Sequence, residues 1–349
     1  MARLTTFSRL LLTIAIVAGV FFAVKQFLPG LTKNMGAKPE TEEVTGNTGS
    51  ANTAEPSTGE AAEKTESSGT SSSWGKPSST FTPIPFNYVA PAPSGGRLKA
   101  VVELGATGFN SFIVRVDADK NWKMEKAEFG ASLVKEGLAT DEDIKSGLKR
   151  YIADMLSFGV GSRDIHFVIS SGAKKAETTD KIITELKRMN YVVNTVTPEQ
   201  EAKLALRAAM TRDYQNNAFV VDVGSGNTKI GWYNGNAPTG VECPGSKYFQ
   251  DGVTDEAAYK ETKSKAIRVP AAQRGTCFII GGVPYELAKQ HRNGKERYTL
   301  LKAPGAYTPS GEKQKAGLNI LQAVADATAC KQFVFDWDAN FTIGFLLNL

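Results

Sequence analysis

Histidine and cysteine are scarce in this chain. Among 349 residues the sequence has two histidines, His166 and His291, and three cysteines, Cys243, Cys277 and Cys330. A Ser-His-Asp triad or a histidine-based metal cluster is therefore not expected. The cysteines are odd in number and lack metal-ligand spacing, so we interpret them as buried apolar thiols. His166 lies inside an apolar strand-like segment, and we expect it in the core rather than at a catalytic position.

The chain also lacks a strong charge of either sign. Its formal net charge is +5, from 41 lysines and arginines against 36 aspartates and glutamates. No basic stripe with interleaved aromatic residues is evident, so no nucleic-acid partner is expected. Two common phosphate motifs are missing as well, because neither the G-x-G-x-x-G spacing of a Rossmann turn nor the G-x-x-x-x-G-K-[ST] spacing of a Walker loop is present.

Residues 1–28 are typical of a membrane anchor. Arg3 and Arg9 precede an uncharged apolar run at 10–24, which extends to residue 28 if Lys25 snorkels to the interface. No convincing A-x-A cleavage site follows, so we expect an uncleaved single-pass anchor. We favour the N-terminus inside and the folded region outside, on the periplasmic side, although basic residues on both flanks leave the side open. Residues 29–97 are rich in Ser, Thr, Gly, Glu, Ala and Pro, which predicts a disordered linker.

The most informative stretch is 218–233, which reads AFVVDVGSGNTKIGWY. An apolar strand ends in Asp222, a glycine turn follows, and a second strand leaves the turn. Glycines allow close approach of backbone to ligand, and successive N–H groups around such a turn suit phosphate oxygens. Asp222 can hold a hard cation, directly or through water, and the hydroxyls of Ser225 and Thr228 can add hydrogen bonds. Taken alone, the pattern fits a plain β-hairpin equally well.

A second copy of this pattern lies at 101–116, which reads VVELGATGFNSFIVRV. Here the acid is Glu103, and the turn contains Gly105 and Gly108. Two acid-headed glycine hairpins indicate a duplicated lobe. Between the two copies we predict a helix at 141–158, a strand at 165–169, a helix at 179–189 and a strand at 191–195, an order typical of a parallel sheet covered by helices. We therefore predict a first lobe at 98–213 and a second at 214–349.

Three further positions each allow a functional and a structural interpretation. Glu201 lies in the first turn of a helix capped by Thr197, where an acid can complement the helix dipole or serve as a general base. Lys174 follows the 165–169 strand, where it can meet an anion or lie in a solvated loop. Gly281 and Gly282 stop a short strand before a helix at 284–290, where a sugar or base can lie against the backbone or an ordinary turn can form. A helix at 318–329 and a strand at 333–336 close the chain, while 245–270 is too polar to assign.

The order of these elements resembles a known superfamily. The first acid hairpin, the strand–helix–strand unit, the P-E-Q-E-A helix start, the second acid hairpin and I-I-G-G together look like the actin-like ATPases. Within that superfamily the chain most resembles the exopolyphosphatase and guanosine pentaphosphate phosphatase family, over about 98–347. The resemblance implies an α/β fold of two ribonuclease-H-like lobes with a central cleft, in which phosphate chains bind with Mg²⁺.

The resemblance also implies roles for individual residues. Glu201 matches the family's catalytic glutamate, and Glu103 and Asp222 would hold Mg²⁺ or its waters. The implied phosphate-binding residues are Gly105, Ala106 and Thr107 in the first loop, Gly224, Ser225, Gly226, Asn227 and Thr228 in the second, and Lys174, Gly281 and Gly282 elsewhere.

Three departures from the family pattern leave two classes of function open. The family has aspartate at the position of Glu103, serine at Ala106, and a basic residue at Lys174 that is here without the arginine fork. One class is a membrane-anchored phosphohydrolase that releases phosphate from polyphosphate or a guanosine polyphosphate by Mg²⁺-assisted water attack. The other is a non-hydrolytic member that binds phosphate compounds or serves as a membrane-tethered scaffold. A homodimer remains open in both.

Overall fold

A computed structural model describes residues 85–105, 108–129, 140–173 and 177–349, all of which fall within one compact unit. The predicted anchor at 1–28 lies outside the described residues. So do most of the predicted linker and three predicted phosphate-binding residues, Ala106, Thr107 and Lys174. Across the described ranges, no helix combines the length and apolarity needed to cross a membrane.

The first of two sheets has five strands in the order β3-β2-β1-β4-β5. These strands are β1 (Arg97–Gly105), β2 (Gly108–Val116), β3 (Trp122–Phe129), β4 (Ile165–Ile169) and β5 (Val193–Thr195). Strands β1 to β3 pair antiparallel, whereas β4 runs parallel to β1 and β5 runs parallel to β4. The predicted parallel strand–helix–strand unit is therefore joined to an antiparallel hairpin within one sheet.

The second sheet has six strands in the order β10-β11-β9-β6-β7-β8. They are β6 (Ala218–Val223), β7 (Asn227–Asn234), β8 (Ala237–Pro244), β9 (Thr276–Gly281), β10 (Tyr298–Leu300) and β11 (Gln332–Asp336). Strands β6 to β8 pair antiparallel, while β9 is parallel to β6 and β11 is parallel to β9. Both sheets thus start with three antiparallel strands and continue with two parallel ones, the repeated plan that two similar hairpins predict; the second sheet adds β10, which pairs antiparallel with β11.

Seven α-helices lie in the described residues. They are α1 (Asp141–Ser157), α2 (Glu177–Arg188), α3 (Pro198–Ala209), α4 (Asp255–Ala266), α5 (Gly282–Lys289), α6 (Glu312–Thr328) and α7 (Phe341–Asn348). The predicted capping box of Thr197 and Gln200 starts α3. Helix α4 occupies part of the unassigned polar segment. Its buried positions are only Ala258, Thr262 and Ala266, which are too small and too polar to stand out as an apolar stripe.

Buried residues divide the molecule into five layers. Helices α1 and α2 cover the outer face of the first sheet, and α4, α5 and α6 cover the outer face of the second. Helices α3 and α7 lie in the middle core between the two sheets. Successive strand residues point to opposite faces, so Val101 packs in the middle core while Ala100 and Val102 pack beneath α1. The helix that carries Glu201 is therefore sandwiched between the two sheets.

The three cysteines and His166 pack against the core, as the sequence predicts. The three cysteines are buried and unbonded, and burial raises the pKa of Cys243 to about 12 and that of Cys330 to about 11. High pKa values make these thiols poor nucleophiles, because the thiolate is the reactive form. His166 is half-buried on β4, with its ring 5.9 Å from the ring of Phe345.

The last part of the predicted linker is packed rather than loose. The ring of Phe86 lies 5.4 Å from that of Tyr214 and 5.7 Å from that of Phe278. Tyr88 joins the same cluster, with its ring 5.4 Å from Tyr214 and 5.9 Å from Tyr298. This differs from the prediction of disorder up to residue 97. The reason is that two aromatic side chains bury enough apolar surface to hold a short proline-containing segment against the core.

Candidate functional site

A cleft of about 680 Å³ lies at the carboxyl ends of parallel strands from both sheets. Gly105 of the first glycine turn and Gly224 of the second line the same cavity. The predicted site residues along its wall are Glu103, Gly105, Asp222, Gly224, Ser225, Gly226, Asn227, Gly281 and Gly282. Thr228 and Glu201 are completely buried and are not part of this wall.

The second glycine turn is tightly braced. Gly224 N donates to the carbonyl oxygen of Asn227 at 3.1 Å, which closes the turn. Ser246 N donates to the Gly224 carbonyl at 2.9 Å and Lys247 N to the Ser225 carbonyl at 3.0 Å, so the chain after β8 supports the turn from outside. A Cβ on Gly224 would lie 2.5 Å from the Asn227 carbonyl oxygen. Glycine is therefore required here by close approach, and the turn has one fixed shape.

The first glycine turn is tied to the C-terminal helix. Glu103 and Asn110 are register partners across β1 and β2, and Asn110 Nδ2 donates to Glu103 Oε2 at 2.9 Å. Asn340 Nδ2 donates to the same oxygen at 3.0 Å. Asn340 is also the N-cap of α7, because its Oδ1 accepts from Thr342 N at 2.8 Å. The sequence analysis missed Asn340, although an asparagine before an apolar helix is a recognisable N-cap signal.

Glu201 lies behind the wall of the cleft, where it is held from three directions. Ser171 N, just after β4, donates to Glu201 Oε1 at 2.5 Å. On the other side, Lys229 Nζ lies 2.5 Å from Glu201 Oε2, a contact that is short but poorly aligned as a hydrogen bond. The next residue, Ala202, packs so closely on β7 and β8 that a Cβ on Gly231 would lie 2.8 Å from its carbonyl oxygen. The start of α3 is therefore fixed, and Glu201 has a single position.

Lys229 lies at the cleft beside Glu201 and Asp222, although it was not among the predicted site residues. It is the register partner of Asp222 across β6 and β7, so the two side chains share one face of the hairpin. Lys229 Nζ lies 4.0 Å from Asp222 Oδ2 and only 6 % of the residue is exposed. The signal was available, because a hairpin closed by Gly224 and Asn227 necessarily sets residue 222 opposite residue 229.

Burial and the neighbouring charges shift the pKa values of Asp222, Glu103 and Lys229. Burial raises the pKa of Asp222, with Glu201 adding to the rise and Lys229 opposing it. Burial also raises the pKa of Glu103, against the two amide donors of Asn110 and Asn340. For Lys229, burial acts to lower the pKa, but the attraction of Asp222, Glu201 and Glu103 is stronger and the pKa rises. The ammonium is thus fixed in its charged form by the carboxylates around it.

The carboxylates do not fit Mg²⁺ in this arrangement. Across the described residues, no three His, Cys, Asp or Glu side chains are grouped so as to hold a metal ion. Glu103 Oε2 already accepts from two amides, and the ammonium of Lys229 lies beside Asp222. Mg²⁺ needs a near-octahedral shell of oxygen ligands at about 2.0–2.1 Å. The predicted pair, Glu103 and Asp222, supplies no such shell here.

Another acid at the cleft, Asp336 at the end of β11, is structural. Arg297 Nε and Nη2 donate to its two oxygens at 3.0 Å each, and the backbone N–H groups of Asp338 and Ala339 donate to Oδ1. All its oxygens are therefore engaged. Beside it, the guanidinium of Arg292 lies 3.8 Å from the centre of the Trp337 ring, so this side of the cleft is aromatic as well as charged.

The fold is the α/β two-sheet fold of the actin-like ATPase type. No protein-family model matches the chain, and no curated protein matches it either. Solved structures do, and members of the Ppx/GppA family are among them. A family member from Aquifex aeolicus has 18 % sequence identity and a TM-score of 0.57, over 72 % of this chain and 96 % of that one.

Two further structures agree with this. An exopolyphosphatase from Cytophaga hutchinsonii has 15 % identity and a TM-score of 0.53, over 72 % of this chain and 98 % of that one. An exopolyphosphatase-like protein has 16 % identity and a TM-score of 0.52, over 72 % and 97 %. The predicted resemblance to exopolyphosphatases is therefore confirmed. At these identities the likeness establishes the fold alone.

Proposed function

We propose that the cleft binds the phosphate chain of polyphosphate or of a guanosine polyphosphate, and that the protein is a phosphohydrolase of the Ppx/GppA type. One observation carries the proposal. Two glycine turns, each following an acid-bearing strand, line one cavity from opposite sheets. A cavity of this size lies within the range of small-molecule sites, which is roughly 300–1,000 Å³.

Backbone donors favour an anionic ligand. Ser225 and Gly226 line the cleft, and their N–H groups make no hydrogen bond within the described part of the chain. Gly282, the first residue of helix α5, lines the same cavity, so the positive end of the helix dipole lies there. No side chain caps this helix end. Uncapped helix N-termini and glycine-rich turns are good binding sites for phosphate oxygens.

Glu201 is the group that would act on water. In hydrolysis its carboxylate would take a proton from a water molecule while the water oxygen bonds to the terminal phosphorus. The bridging P–O bond would break, and its electron pair would leave with the shortened chain. Lys229, on the cleft wall, would offset charge on the transferred group. Mg²⁺ assistance, which the family resemblance implies, is left out of this proposal because the carboxylates present do not fit the ion.

A second candidate function, phosphate binding without hydrolysis, has a specific observation in its favour. Glu201 has 0 % exposure, and both of its oxygens are contacted by Ser171 and Lys229. A general base must come within hydrogen-bond reach of its water, so hydrolysis requires the Glu201–Lys229 ion pair to open. If the pair stays closed, the cleft binds its ligand and releases it unchanged.

The two candidates separate in one experiment on the full-length protein. Phosphate release from polyphosphate and from guanosine pentaphosphate is measured for the wild type, Glu201→Gln and Glu199→Gln, together with ligand binding by calorimetry. Glu199 is the matched control, since it lies in the same first turn but is exposed. Release that only Glu201→Gln abolishes supports the hydrolase, while binding without release in all three supports the second candidate. Absence of both binding and release contradicts the proposal.

We also propose that residues 1–28 anchor the chain in a membrane and leave the folded region on the periplasmic side. The apolar run flanked by basic residues supports this. Fusion of a compartment-sensitive reporter after residue 97 tests it. A reporter active only in the cytoplasm would reverse the orientation, and a fusion recovered in the soluble fraction would remove the anchor.

A further inference from the structure

The ammonium of Lys229 lies where a cation would have to sit to serve the acids of this cleft. Its distances are 2.5 Å to Glu201 Oε2 and 4.0 Å to Asp222 Oδ2. It also lies 3.4 Å from the point that a Cβ on Gly224 would occupy, so it fills space that the glycine turn leaves open. One side chain thus lies beside Glu201, Asp222 and the second glycine turn together.

The fold fixes this position rather than merely allowing it. Register pairing puts Lys229 opposite Asp222, and Asn227 at the start of the same strand donates to Ser171 Oγ at 3.0 Å and to Glu242 Oε1 at 2.8 Å. Ser171 in turn binds Glu201 through its backbone. Strand β7 is therefore held in place two residues before the lysine.

We propose that Lys229 is a built-in cation that takes the place of a divalent metal, so that the site is complete without Mg²⁺. A divalent ion would have to displace the ammonium from Glu201 and Asp222, because the ammonium already lies beside these oxygens and repels a second cation. The attached cation carries one charge and three N–H donors, and it needs no capture from solution. The inference concerns the cleft of the proposed function, but its test needs no phosphate ligand, so the two can fail separately.

The experiment measures Mn²⁺ binding to the full-length protein by electron paramagnetic resonance, alongside thermal unfolding with EDTA or with Mn²⁺. Wild type is compared with Lys229→Gln, which keeps a polar side chain and adds an oxygen ligand. Lys99→Gln is the matched control: Lys99 is also buried, but its Nζ donates to the carbonyl oxygen of Leu346 and makes no ion pair within the described residues. Lys229→Gln/Asp222→Asn locates any ion that is bound.

Wild type and Lys99→Gln should show no tightly bound Mn²⁺ and no shift in Tm. Lys229→Gln should bind one Mn²⁺, and at ten times its Kd the Tm should rise by about 3–6 °C. Adding Asp222→Asn should abolish both effects. Wild-type protein that binds one Mn²⁺ through Asp222, or a folded Lys229→Gln that binds none, would overturn the inference. If Lys229→Gln folds only with Mn²⁺ present, the inference is supported; if it does not fold at all, the wild-type titration decides by itself.

Discussion

Replacing Lys229 by methionine should destabilise the protein strongly, and the loss should depend on pH. The change keeps an unbranched side chain, one atom shorter, but removes the cation from Glu201, which is completely buried, and from Asp222. Removing one partner of a buried ion pair costs about 3–5 kcal/mol of unfolding free energy. An abandoned carboxylate can escape part of that cost by taking up a proton, which for an ordinary glutamate costs about 3.7 kcal/mol at pH 7 and about 1 kcal/mol at pH 5.

We therefore expect Lys229→Met to lose about 3–4 kcal/mol at pH 7 and only about 1–2 kcal/mol at pH 5. Urea unfolding of the full-length protein in EDTA measures both, provided that the m-value is unchanged. Lys99→Met is the control, since its ammonium donates to the Leu346 carbonyl. Because Lys99 also lowers the pKa of His166, its loss should be slightly smaller at pH 5, but by much less than the loss of Lys229→Met.

A second change isolates the pair itself. Glu201→Gln in the Lys229→Met background removes the abandoned carboxylate, so the double variant should be more stable than Lys229→Met at pH 7. The coupling energy should be about 1–3 kcal/mol, as for residues in direct contact. Strictly additive losses, or a Lys229→Met loss that is equal at pH 5 and pH 7, would refute the assignment of Lys229 as the cation of a buried cluster.

Three further predictions concern the walls of the cleft. Gly281→Ala should lower the free energy of unfolding in urea by about 2–4 kcal/mol, because its φ is +108° and a Cβ would collide with the Val223 carbonyl. Gly294→Ala is the control: its φ is +78° but the space around it is open, so it should cost about 1 kcal/mol. Equal costs would contradict this prediction. Asn340→Asp should keep the α7 cap but set a carboxylate against Glu103, so its melting temperature should fall further below wild type at pH 8 than at pH 5. Asn340→Ala loses the cap, at about 1 kcal/mol, and one donor to Glu103, so its extra loss at pH 8 should be smaller than that of Asn340→Asp. Because the folded-state pKa of Glu103 is raised, wild type gains stability as pH falls through that pKa; Glu103→Gln should therefore be more stable than wild type at pH 8, and the advantage should vanish toward pH 4. An advantage that persists at pH 4 in urea titrations would refute this last one.

Features that depend on neighbouring residues could be predicted from the sequence. Both acid-headed hairpins are present, with Glu103 two residues before Gly105 and Asp222 two residues before Gly224. The Thr197–Gln200 capping box starts its helix as expected. Element ends shifted by a few residues, and α6 begins at Glu312 rather than at 318. Its first turns are polar, so apolar periodicity did not reveal them.

Features that join distant parts of the chain could not be predicted in the same way. Helix α4 escaped because its packing uses small residues, and the attachment of Phe86 depends on Tyr214 and Phe278, far away in sequence. The Glu103–Asn340 hydrogen bond spans 237 residues and the Ser171–Glu201 bond spans 30. Many chain arrangements would satisfy the same local patterns without bringing these groups together.

By itself, the sequence determined the two glycine turns, the acids that precede them and the helix start at Glu201, because turn geometry, strand alternation and helix capping act within a few residues. Only the tertiary structure decided that Gly105 and Gly224 line one cavity, that Glu201 is buried behind its wall, and that the ammonium of Lys229 lies beside Glu201 and Asp222. The physical reason is that charge pairing and burial depend on distances through space, and packing of α3 between two sheets sets those distances.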